Sequence, residues 1–158
     1  MSFRRFLATA IAIASTMAAR PAAAQSDAAT MHAIMGTVQQ YVDAFNAGDA
    51  KGEAALCTSP AAIIDDFPPH AWHGPTACAD WAKDFVTMTS ASGSSDQRVT
   101  LLRPWHVTVD GPTAYVVNPT TYTYKLHGKP TKEMGVWTLA LRKTAAGWRI
   151  ASWAWADR

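Results

Sequence analysis

The spacing of apolar residues changes character part-way along this chain. Early on, Ile34, Val38, Tyr41, Val42 and Phe45 recur three or four residues apart, the stripe of an amphipathic helix. Asn46-Ala47-Gly48-Asp49 ends it. Gly48 suits a left-handed cap, and Asp49 suits the start of a second helix. That helix is short, near Ala50 to Cys57, and Ser59-Pro60 stops it. Ala61 to Asp65 reads as a short strand and Pro68-Pro69 as a loop. Pro75 fits the first turn of a third helix, whose apolar face is Cys78, Trp81, Phe85 and Met88. Ser90 to Asp96 reads as a loop.

Beyond it the period drops to two. Arg98 to Val109 alternates, and Asp110-Gly111 is a hairpin signal. Thr113 to Leu126 reads as a long strand, turned by His127-Gly128-Lys129-Pro130. Thr131 to Lys143 alternates again, turns at Ala145-Ala146-Gly147, and Trp148 to Ala156 closes the sheet. The order predicts an α+β fold, with a curved antiparallel sheet wrapped around about three N-terminal helices. A long sheet that curls around helices leaves a cavity at its open end. Neither an internal repeat nor a second domain is visible, so residues 31–158 form one domain.

The N-terminus follows a different pattern. Arg4 and Arg5 precede an apolar run, Phe6 to Ala19, which is shorter than the ~20 residues of a membrane-spanning helix. Ala22-Ala23-Ala24 then offers a cleavage site. Residues 1–24 therefore read as a signal peptide and residues 25–30 as a short polar lead, giving a periplasmic or secreted protein with no membrane anchor after cleavage. Cleavage removes Arg4, Arg5 and Arg20 from the 14 basic residues and leaves 11 against 12 acidic ones. The net charge moves from +2 to −1, and no basic stripe remains for a nucleic acid. In an exported chain the two cysteines, Cys57 and Cys78, predict a disulfide.

Three stretches together resemble the nuclear transport factor 2-like superfamily, in its bacterial SnoaL-like branch. They are Val38 to Asp49 at the end of the first helix, Ile63-Ile64-Asp65-Asp66 with the later His73-Gly74-Pro75, and the closing strands Gly135 to Lys143 and Gly147 to Trp153. The resemblance covers about Met31 to the C-terminus. It implies a cone with an apolar pocket, and in many members a homodimer through the outer face of the sheet. It leaves function open, since that superfamily hosts isomerases, dehydratases and pure binding domains.

Ketosteroid isomerases share that fold and use a carboxylate base with two donors, a tyrosine and a protonated aspartic acid. The resemblance places Tyr41 at the tyrosine donor and Asp65 or Asp66 near the base. Trp137 stands where the protonated acid should be, and an indole N–H is a donor but not a tunable acid. Asp65 and Asp66 also fit a plain strand-to-loop exit, and Tyr41 fits a core position. Trp72, His70, Trp137, Tyr122 and Trp105 are candidate ligand contacts. His70 and His73 are three apart in a Pro-led loop, which fits neither frame on which a zinc site is usually built, so no metal is expected. No cofactor motif is present. If Ile150 faces inward, strict alternation puts Trp153 and Trp155 on the outer face, where a dimer would cover them; in the opposite phase they lie inside with Ala154 outside, and alternation does not choose between the two.

Three functions remain open from the sequence. One is an exported protein that binds a small apolar molecule. Another is a cofactor-free isomerase or lyase with Asp65 or Asp66 as base and Tyr41 as donor. The last is a protein-interaction or dimerisation module.

Overall fold

The computed structural model describes residues 22–158. Residues 1–21 of the expected signal peptide lie outside the described residues. Helix α1 (Ala22–Ala47) runs through residues 25–30, so the expected polar lead is helical. It buries the predicted stripe, with Ile34, Val38, Tyr41 and Val42 inaccessible. Gly48, at φ +69°, turns the chain, and the Asp49 side chain caps α2 (Ala50–Ala55) by accepting from the Gly52 N–H at 2.9 Å. Asn46 ties the end of α1 to the sheet. Its amide donates to the Val99 carbonyl at 2.9 Å and accepts from the Val99 N–H at 2.7 Å.

Strand β1 (Cys57–Ile64) starts earlier than expected, with Ser59-Pro60 inside it. It pairs with β2 (Ala71–Gly74) as a hairpin. Helix α3 (Ala77–Ser92) extends into the expected Ser90–Asp96 loop. That loop shrinks to one left-handed cap, Gly93, before β3 (Ser94–Leu101). The strand expected over 98–109 is broken, and its second part is β4 (His106–Asp110). Asn118 is buried at the break and donates to the Leu102 carbonyl at 3.2 Å. Its amide thus takes up a polar backbone group that the interrupted ladder leaves over.

The long strands β5 (Thr113–Leu126), β6 (Lys129–Thr144) and β7 (Gly147–Asp157) pair in sequence as antiparallel neighbours. The sheet order is β2-β1-β7-β6-β5-β3, with β4 also on β5. One pairing departs from the all-antiparallel expectation, because β1 runs parallel to β7. No hairpin joins these two strands, so no tight turn dictates their relative direction. The result is an α+β fold, a curved sheet with the helices packed into its concave side.

The placement of the last tryptophans is a correction. Trp153 is buried, and so is Ile150. Strict alternation forbids that for residues three apart. The register between β6 and β7 slips between Ala140 and Leu141, and Ala151 is left without a partner. This bulge reverses the parity of the strand. Trp153 and Trp155 therefore point into the cone with Ile150, not to the outer face.

Candidate functional site

The concave side of the sheet and helices α1 and α3 enclose a cavity of about 500 Å³. That volume suits a drug-sized molecule. Its walls are mostly aromatic. Phe45 on α1, Trp81 and Phe85 on α3, and Phe67 after β1 pack ring to ring, with Trp81 and Phe85 stacked at 5.2 Å. From the sheet come Tyr122, Tyr124, Trp137, Trp153 and Trp155. Trp155 lies flat over Gly135, close enough that no Cβ fits at that position.

Three of the cavity's polar groups have no partner. The Tyr41 hydroxyl and the indole N–H groups of Trp137 and Trp153 are buried without a well-formed hydrogen bond, although the Tyr41 hydroxyl stands near both Glu53 and the Trp153 indole. Their rings form a triangle, with centroids 5.4 Å apart for Tyr41 and Trp137, 5.6 Å for Trp137 and Trp153, and 6.5 Å for Tyr41 and Trp153. Buried donors are nearly always satisfied, so three unsatisfied ones in one place need an explanation.

Behind Tyr41 sits Glu53 on α2, only 3 % exposed, with its Oε2 also unpartnered. Burial pushes its carboxyl up to about 7, the Tyr41 hydroxyl opposes the rise, and Asp49 adds to it. Burial, followed by the charge of Glu53, holds the Tyr41 phenol well above its ordinary value. Tyr41 therefore stays a neutral hydroxyl. Sequence reasoning missed Glu53. A lone glutamate in Ala50-Lys51-Gly52-Glu53-Ala54-Ala55 looks like any solvated helix residue, and only the packing of α2 against α1 and α3 buries it.

Asp65 and Asp66, adjacent in sequence, part company. Asp65 is buried, and Asp66 is exposed. Both reach the cavity wall. Asp65 accepts from the Trp81 indole at 2.8 Å through Oδ2 and from the Asp66 N–H at 2.9 Å through Oδ1. Burial pushes its carboxyl up to about 6, and both hydrogen bonds restrain the rise. It is thus a structural turn residue and a cavity residue at once. Trp81 links it towards the donors, since its ring meets that of Trp153 edge-on at 4.9 Å.

The other candidates divide. Trp137 and Tyr122 line the cavity with Tyr41, Asp65 and Asp66. Trp72 is buried behind the wall, packed on Phe67 at 5.0 Å, and its indole donates to Asp84 at 2.9 Å. His70 is exposed in the β1–β2 turn, and its Nδ1 lies 3.2 Å from the Asp65 carbonyl. Trp105 is 56 % exposed on the outside, beneath the Arg158 guanidinium at 5.1 Å. Trp72, His70 and Trp105 are thus outside the cavity lining. Among the described residues no three His, Cys, Asp or Glu side chains gather as metal ligands would. Cys57 and Cys78 are joined as a disulfide, which fastens β1 to α3.

The model of the SnoaL-like domain matches residues 34–155, most of the chain. This protein belongs to the SnoaL-like domain family. Solved structures agree on the fold. A nuclear transport factor 2-like protein with a cystatin-like fold from Novosphingobium aromaticivorans superposes with a TM-score of 0.71 at 20% identity, covering 86% of each chain. A ketosteroid isomerase-like protein from Erwinia carotovora atroseptica gives 0.64 at 21% identity, covering 79% of this chain and 93% of that one. A Mycobacterium tuberculosis protein of unknown function gives 0.72 at 18% identity, covering 85% and 75%. No curated protein matches. In this SnoaL-like domain the cone surrounds an aromatic cavity with unmet donors and one buried carboxyl.

Proposed function

We propose that this SnoaL-like domain binds a small, largely apolar molecule in its cavity and seats one oxygen atom of that molecule on the donors of Tyr41, Trp137 and Trp153. The observation that carries this reading is the set of three buried donors without partners in one apolar cavity. A ketone or ether oxygen, with two lone pairs, would satisfy two of them at a time. Each such bond is worth about 0.5–1.5 kcal/mol net, or roughly 2- to 10-fold in affinity.

The test compares 2-acetylnaphthalene with 2-ethylnaphthalene, which differ by one oxygen. The ketone is expected to raise the melting temperature more than the hydrocarbon does. Tyr41→Phe and Trp137→Phe should each shrink that difference; Tyr41→Phe should leave the free protein about as stable as before, while Trp137→Phe lowers its melting temperature for both compounds alike. Equal shifts for the two compounds in the unaltered protein would remove the donors from the site.

A second reading adds proton transfer, making the domain a cofactor-free isomerase or lyase. It is favoured by Asp65, a buried carboxyl raised to about 6 on the wall of the same cavity. Such a group is ionised at neutral pH yet more basic than an ordinary carboxylate. It would take a C–H proton beside the seated oxygen, and the donors would steady the oxyanion that develops. Asp65→Asn should then lose exchange of ketone α-protons with solvent deuterium by 100-fold or more, while ketone binding persists. Exchange that survives the substitution ends the proton-transfer reading and leaves the binding one.

Export fits the disulfide, because such bonds persist in oxidising compartments. A homodimer through the outer sheet face would no longer rest on Trp153 and Trp155. It would use Tyr115, which is 45 % exposed on β5. Native mass spectrometry at twice the chain mass, returned to one by Tyr115→Arg, is the expected result. A monomer in the unaltered protein rejects the dimer.

A further inference from the structure

The charges of the cavity are one-sided. Asp65, Asp66 and Glu133 line it, and among the described lining residues there is no Lys, Arg or His. One of these acids, Glu133, meets a cluster of partly exposed aromatic rings, and Asp66 is near enough to add its charge there. Tyr122 and Tyr124 stack at 5.0 Å with their planes 27° apart, and Trp155 meets Tyr122 edge-on at 6.3 Å. The Tyr124 hydroxyl donates to Glu133 at 2.6 Å. The Trp155 indole donates to Asp157 at 3.3 Å, which adds a further carboxylate beside the same rings. Glu133 is half-buried, and Asp66 and Asp157 are exposed.

We propose that the ligand is an organic cation. Its ring-bearing body fills the aromatic interior, and its ammonium group rests against Tyr122, Tyr124 and Trp155, with Asp66 and Glu133 as counter-charges. This rests on the reading that the cavity binds a small molecule, and it adds the class of molecule.

Three observations support it. Faces of Tyr and Trp rings attract cations, and rings clustered around one point are how quaternary ammonium groups are held. The carboxylates add a net negative field, with no basic side chain in the lining to cancel it. The tyrosines register that field. Burial and then Glu133 raise the Tyr122 phenol, and the hydrogen bond to Glu133, then burial and nearby acids, raise that of Tyr124 to about 12. A carboxylate ligand would meet the same acids with no compensating partner. The unmet donors lie on Tyr41, Trp137 and Trp153, so the oxygen of the ligand and its cation address different residues.

The experiment uses three probes of one shape: 2-(1-naphthyl)ethyl-trimethylammonium, 3-(1-naphthyl)propanoate, and the neutral 2-(1-naphthyl)ethanol. Binding to the full chain is followed by calorimetry at pH 7.5 in low salt and in 0.5 M NaCl. The ammonium is expected to bind tenfold or more tighter than the alcohol, and the propanoate more weakly than either. Salt should narrow the gap between ammonium and alcohol. In Asp66→Asn/Glu133→Gln the ratio of the two affinities should fall towards one. The salt series makes the same point without a variant, should the substitutions harm folding. Equal binding of ammonium and alcohol, or preference for the propanoate, overturns the cation and leaves the cavity reading standing. No binding of any probe overturns both.

Discussion

Glu53→Gln is expected to stabilise the protein at pH 8 by about 3 kcal/mol and to leave it nearly unchanged at pH 4. The residue is 3 % exposed, and its carboxyl rises from 4.5 to about 7 on folding. At ~1.4 kcal/mol per pH unit, that rise costs the folded state about 3 kcal/mol once the group is ionised. Between 4.5 and about 7 the folded chain holds a proton that the unfolded chain has released. Stability therefore falls as pH rises through that window, and the loss is complete above it. Glutamine keeps the shape and removes the charge, so its gain should grow over the same window and then level. Asp65, raised from 3.8 to about 6, keeps its own lower slope in both proteins, which makes the difference between them specific to Glu53. Urea midpoints at pH 4, 6 and 8 supply the test. A variant less stable than the parent at pH 8 would mean that the ionised carboxylate has a partner strong enough to offset its burial.

Selection is expected to tolerate such a cost only where the group serves something, and Glu53 stands against Tyr41, one of the unmet donors. An ionised Glu53 competes for the Tyr41 proton, whereas a neutral one leaves that proton free for a ligand. The cost and the placement belong to one arrangement.

How much of this could be read from the chain depends on the kind of signal. Helix α1 was legible because Ile34, Val38, Tyr41 and Val42 repeat the helical period and are the residues it buries. The long strands were legible because alternation and Gly-containing turns agree. Tyr41, Asp65, Asp66 and Trp137 were placed together by the family pattern, Tyr122 was a candidate from its strand alone, and all five line the cavity. What failed was whatever depends on a single irregular residue or on distant packing. The unpaired Ala151 turned Trp153 and Trp155 inward, and nothing in Arg149-Ile150-Ala151-Ser152 announces a bulge. A break after Leu101 carried Trp105 outside, although its alternation with Val107 and Val109 suggested one continuous face. Glu53 lacks any local mark, because its burial is made by helices that pack over it.

The cysteine pair carries the other large expected effect. Cys57→Ser/Cys78→Ser is predicted to lose about 3 kcal/mol, the chain-entropy value for a loop closed across 21 residues. For a domain of this size that is a fall of roughly 10 °C in melting temperature. The loop holds all of the β1–β2 hairpin, including the turn with Asp65, Asp66 and Phe67. The disulfide restrains this wall of the cavity already in the unfolded chain, so less freedom is lost on folding. The unaltered protein treated with reductant should fall to the same stability as the double variant. A loss under about 1 kcal/mol would indicate that the unfolded chain already keeps the hairpin closed. A full loss would tie the carboxyl wall of the site to an oxidising compartment, because in a reducing one the protein would have to hold Asp65 in place without that restraint.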